Sequence, residues 1–103
     1  MAVAPDDQRA SKRVPFIQDV EVVGVGMRRA MDLSTGGMYI EMVANFVEGN
    51  ELDLRFKLNS ADKEEIRVRA RVLYIHPGMG AGLRFLNLSP PDRSRIEKWI
   101  SEK

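Results

Sequence analysis

Glu51-Leu52-Asp53-Leu54-Arg55-Phe56-Lys57-Leu58 alternates a charged side chain with an apolar one at every step. Successive residues of a strand face opposite ways, so this stretch is an antiparallel strand with one wet face and one face on a core. The pattern returns after a polar loop at 59–65. Ile66, Val68, Ala70, Val72 and Tyr74 share one phase, and Arg67, Arg69 and Arg71 take the other.

Upstream, residues 14–25 are rich in β-branched side chains (Val14, Ile17, Val20, Val22, Val23, Val25), which favours a strand. Gly24 and Gly26 then mark a bend or bulge before a second strand over 27–33. Gly36-Gly37 closes that stretch and a short strand follows over 38–42. The turn between them is the connection of a hairpin. Residues 47–50 form a turn. Downstream, His76-Pro77-Gly78-Met79-Gly80 is turn chemistry, with His76 read as a turn residue, and residues 81–86 pair back as the last strand. Six short strands without a helical spacer predict an all-β domain, a six-stranded antiparallel β-barrel. Ser89 is then an N-cap, with Pro90 in the first helical position and Asp92 reaching back from the third. Ile96, Trp99 and Ile100 fall on one stripe of a helix at about 90–102, which closes one end of the barrel.

At 103 residues the chain suits one compact domain, expected over 14–103. Residues 1–13 carry almost no bulky apolar side chain and are expected to form a flexible N-terminal arm. The formal net charge is +1, so no broad field recruits nucleic acid or an anionic membrane, and any anion site is local. With no cysteine and one histidine, neither a metal site nor a nucleophilic triad can be assembled. No catalytic residue is expected, and the domain is read as no enzyme. The start of the chain lacks a signal-peptide pattern and no apolar run spans a bilayer, which points to the cytoplasm.

Two polar clusters stand out. Arg9 and Arg13, four residues apart, lie on the arm, and arginine binds phosphate or the guanine O6/N7 edge in bidentate fashion and stacks on the base. Asp32, Ser34 and Gly37 lie on the first hairpin turn. There a carboxylate can accept from N–H donors, a hydroxyl can bond, and a glycine lets backbone approach a ligand. Each cluster alone also describes a solvated tail or an ordinary turn. Gln8, Lys12, Gly36 and Tyr74 are accessory candidates. Arg28 and Arg29 are read as solvated charge, and Met38, Tyr39 and Met42 as core and hairpin packing.

Together these motifs, RxxxR at Arg9 and Arg13 and DxSxxG at Asp32, Ser34 and Gly37, resemble the signature of PilZ domains. Val14-Pro15-Phe16, Gly82-Leu83-Arg84-Phe85-Leu86 and the closing helix behind Ser89-Pro90-Pro91 fit the same family pattern, from about Gln8 onward. The resemblance implies a small β-barrel that binds the bacterial second messenger cyclic di-GMP. Arg9, Arg13, Asp32, Ser34 and Gly37 would line the site, and no cofactor or metal is implied. A downstream protein would read the changed surface, in motility, secretion or polysaccharide pathways. The alternative is a protein-interaction adaptor of the same fold that needs no nucleotide. Some relatives place a further arginine near the pair. Here Pro5 and Ile17 stand four residues to either side, which leaves open one ligand molecule or two.

Overall fold

The computed structural model describes residues 12–41 and 46–103. Seven strands and one helix are found among them: β1 (Val14–Pro15), β2 (Asp19–Val22), β3 (Gly26–Leu33), β4 (Gly37–Glu41), β5 (Glu51–Phe56), β6 (Ile66–His76), β7 (Gly80–Phe85) and α1 (Pro90–Ser101). The sheet runs β1-β3-β2-β5-β6-β7-β4, and a further β3–β4 pairing closes it into an antiparallel barrel of six strands with β1 as an extra. Among the described residues, closure leaves no long unpaired edge.

The expected first strand is two strands, because its pairing with β3 slips by one residue. Val14 and Pro15 face Leu33 and Asp32, whereas Asp19 to Val22 face Arg29 to Gly26. Pro15 has no N–H to give the ladder. The backbone is bridged instead by Phe16 N–H to the Met31 carbonyl (3.0 Å) and Ala30 N–H to the Gln18 carbonyl (2.8 Å). The glycine bend is the β2–β3 hairpin itself, with Gly24 at φ 83° and the Val25 N–H bonded to the Val22 carbonyl.

Inside the barrel the alternation holds for Leu54 and Phe56, and for Ile66, Val68, Ala70 and Val72, all buried. From α1, Ile96, Trp99 and Ile100 are buried against one barrel end, where Trp99 meets the Phe16 ring edge-on (centroids 5.2 Å, 88°) and Phe16 meets Phe56 (5.9 Å, 68°). Ser89 caps the helix by accepting from the Asp92 N–H (3.3 Å), but the Asp92 carboxylate takes a bond from Arg95 (3.4 Å) instead of reaching back. Among the described residues no helix is long and apolar enough to cross a membrane.

Candidate functional site

Two β-bulges decide which side chains reach the outer face. Ala30 pairs with Ile40 but Asp32 pairs with Tyr39, so β3 carries Met31 in excess over β4. Val72 pairs with Leu83 but Tyr74 pairs with Gly82, so β6 carries Leu73 in excess over β7. An extra residue reverses the alternation beyond it. Tyr74, expected in phase with the core, is therefore exposed, and Ile75 takes the inward position. With Tyr39 also paired to Gly82, one row crosses four strands: Asp32, Tyr39, Gly82, Tyr74.

The glycines of β7 make room for this row. A Cβ on Gly82 would stand 2.3 Å from the Tyr74 ring, and one on Gly80 would stand 2.7 Å from the Tyr39 ring and 2.4 Å from the Ile40 carbonyl oxygen. The two tyrosines thus lie over bare backbone, with centroids 6.4 Å apart. His76 adds a third ring, 5.1 Å from Tyr74 and 5.7 Å from Tyr39, and its Nδ1 lies 2.9 Å from the Tyr39 hydroxyl. Burial first, then Tyr74 and the Asp32 carboxylate, push the Tyr39 phenol above its ordinary value of 10, so it stays a neutral hydroxyl at neutral pH.

At the other end of the row, Arg13 Nη1 donates to Asp32 Oδ1 (2.7 Å), and the same oxygen accepts from the Tyr39 N–H (3.1 Å). The ion-paired side chains are 47% and 31% exposed, so water still reaches both. Arg84 is exposed on β7, in the adjacent row between Gly37 and Arg71, with no ion-pair partner among the described residues.

Ser34 and the glycines build the turn beside this platform. Ser34 is 2% exposed, and its Oγ accepts from the Gly36 and Gly37 N–H groups at 3.1 Å each. Gly37 packs so tightly on β7 that an added Cβ would fall 1.9 Å from the Leu83 carbonyl oxygen. Gly36 gives its carbonyl to the Phe85 N–H (2.8 Å). Lys12 lies away from the row, lining a cavity of about 300 Å³ with Thr35 and, on α1, Arg93 and Glu97. Gln8, Arg9 and Met42 lie outside the described residues.

The structure therefore brings Arg13, Asp32 and Tyr74 to one outer face and turns Ser34 inward. It corrects two expectations: Tyr39 is half-buried on the outer face, not core, and His76 is the last residue of β6, not part of the turn. The signal for both was the spacing of Gly80 and Gly82, two small residues of one phase across from aromatic ones. Among the described residues no group of three or more acidic or histidine side chains could hold a metal.

Comparison with known proteins follows the fold. No curated protein matches the sequence. Among solved structures, the Bacillus subtilis inhibitor of motility (MotI/DgrA) is 18% identical with a TM-score of 0.79, covering 92% of this chain and 50% of its own. YcgR from Escherichia coli, solved in complex with c-di-GMP, is 20% identical with a TM-score of 0.67, covering 92% and 45%. The PilZ domain of CeSA from a cellulose-synthesizing bacterium is 20% identical with a TM-score of 0.61, covering 89% and 97%. The chain thus spans about half the length of the first two. The profile of the PilZ domain matches residues 7–102, and on that match over nearly its whole length, the chain belongs to the PilZ domain family.

Proposed function

We propose that this domain is a receptor for cyclic di-GMP, bound across the outer face of β3, β4, β7 and β6. The observation that carries the reading is the Arg13–Asp32 pair at the edge of an exposed tyrosine platform. Guanine needs a carboxylate for its N1–H and N2 edge, a cation for phosphate or its O6/N7 edge, and a flat apolar surface. All three stand in one row. The ligand-bound YcgR structure has the same fold, which supports the choice of ligand.

In the free domain the two charged groups satisfy each other. A half-exposed ion pair is worth about 0–1 kcal/mol, so parting it is cheap. Each group then makes a charge-assisted bond to the ligand, worth about 1.5–3 kcal/mol. Arg13 turns to a phosphate or a guanine edge, Asp32 accepts from the base, and Tyr74 packs on its face. Arg9, four residues before Arg13, closes over the ligand with the arm. Ser34, Gly36 and Gly37 act by holding Asp32 and the turn in place. Closure of Arg9 and Arg13 over the dinucleotide is the output: it changes a surface that a downstream protein in the bacterial cytoplasm reads, without catalysis.

Calorimetric titration of cyclic di-GMP into the wild type, Arg9→Ala, Arg13→Ala and Asp32→Ala tests this, with cyclic di-AMP and GTP as controls. Guanine-selective, saturable binding is expected, weakened by roughly tenfold or more in each variant. A folded wild type that takes up no cyclic di-GMP would favour the nucleotide-independent adaptor.

A further inference from the structure

His76 is the last residue of β6, on the same outer face as Tyr74, and its strand partner on β7 is Gly80. No β7 side chain therefore stands between the imidazole and the Tyr39 hydroxyl, 2.9 Å from Nδ1. We propose that His76 is a further ligand-binding residue, forming with Tyr39 a proton-gated anion site at the far edge of the platform that takes a phosphate of the cyclic dinucleotide. The inference rests on the receptor reading above and adds to it a second anion contact and a pH dependence.

The ligand's shape calls for such a contact. A cyclic dinucleotide carries two phosphates on opposite sides of its ring. If one faces Arg13 at the β3 edge, the other points across the platform toward β6. Asp32 is strand-paired directly with Tyr39, so the Tyr39–His76 pair begins one strand spacing, about 5 Å, from the carboxylate that holds Arg13.

The hydrogen bond supplies the gate. With a neutral imidazole in its Nε2–H tautomer, the Tyr39 O–H donates to Nδ1 and the pair offers one outward donor, the Nε2–H. Proton uptake turns Nδ1 into a donor to the Tyr39 oxygen, and the phenolic hydrogen is released. The charged pair then presents two donors, Nε2–H and the Tyr39 O–H, together with a positive charge. The raised Tyr39 pKa agrees with this, since the phenol keeps its proton to donate.

The charged groups around His76 come from every neighbouring strand. On β4, Glu41 lies in the same row across Gly80 and is the carboxylate, among the described residues, placed to compete for the imidazolium. On β3, the exposed Arg29 follows the Ala30–Ile40 pair in the register of Glu41, and Asp32 is one row away and held by Arg13. On β7 the nearest charge is Arg84, two rows away, and on β6 itself Tyr74 intervenes before Arg71. The turn at 77–79 is uncharged.

The test is calorimetry with cyclic di-GMP between about pH 8 and about pH 5.5, in buffer free of phosphate. The wild type should tighten by about tenfold toward the acidic end, the size of one added charge-assisted bond. His76→Gln should give a flat profile. Tyr39→Phe, which keeps the charge but loses the second donor, should show a smaller rise, and Glu41→Gln should retain the rise. A wild type that binds with a flat profile, or His76→Gln with the wild-type slope, overturns this inference alone. A wild type that binds at no pH overturns the receptor reading, and this inference with it.

Discussion

Gly37 and Ser34 belong to the family signature, yet in this structure both are spent on the protein itself. A methyl at Gly37 would collide with the Leu83 carbonyl, a backbone atom that cannot move without parting β4 from β7. Gly37→Ala should therefore destabilise the domain by roughly 1–3 kcal/mol, as overpacking does, read as a lower urea midpoint. Ser34→Ala leaves two N–H groups in a buried turn without their acceptor. About 1–3 kcal/mol is expected there too. Asp32→Asn is different in kind, because it keeps the shape and the Tyr39 N–H bond while removing the charge that holds Arg13. Its urea midpoint should shift by less than either of the other two, and its ligand affinity by more. Loss of binding in all three variants with no loss of stability in any would mean that Ser34 and Gly37 meet the ligand directly.

Among the elements, α1 and the bulged strands divide the labour. The helix seals one barrel end through Trp99 against Phe16, and Phe16 lies three residues after Arg13, so the seal also fixes the base of the arginine arm. Trp99→Ala should cost about 3–5 kcal/mol, whereas loss of the cap in Ser89→Ala should cost about 1 kcal/mol; denaturant unfolding measures both. A Trp99→Ala cost no larger than the cap's would show that the helix does not close the core. The helix was legible in the sequence because Ser89, Pro90 and the stripe of Ile96, Trp99 and Ile100 act locally. The strands were legible wherever strict alternation ran, as over 51–56 and 66–72. What could not be read was where alternation breaks. Met31 and Leu73 are ordinary strand residues, and nothing in their chemistry marks them as extra; the excess exists only against the count on β4 and β7. Those two bulges place Asp32 and Tyr74 in one row, so the signature residues were found by motif while the platform of Tyr39, Tyr74 and His76 was not. The split of β1 from β2 escaped for the same reason, since it is a slip against β3.

Across the whole molecule, charge is confined by pairing. On the outer face of β5 and β6, Glu51 and Asp53 meet Arg69 and Arg71, while Arg55 and Arg67 meet Glu65. Three carboxylates against four guanidinium groups leave that face nearly neutral, which is how a chain of net charge +1 can leave its anion selection to a few side chains on the neighbouring strands. Acid should expose the arrangement. A hydrogen bond from Arg71 is the largest influence on the Glu51 carboxyl; desolvation opposes it, and the charges of Arg71 and Arg69 with a hydrogen bond from Arg69 add to it, so the carboxyl is held below its ordinary value of 4.5. A depressed carboxylate stabilises the fold only while ionised. Its contribution is complete above about pH 4.5 and disappears as pH falls through the lower folded value. Thermal melts of the wild type and Glu51→Gln should therefore be separated at neutral pH and converge as the pH falls below the ordinary value of 4.5. The gap should also narrow in about 1 M salt, where screening acts over roughly 3 Å. A gap that persists unchanged in acid would assign the stabilisation to packing of the Glu51 side chain, and the ladder would then be a passive wet face.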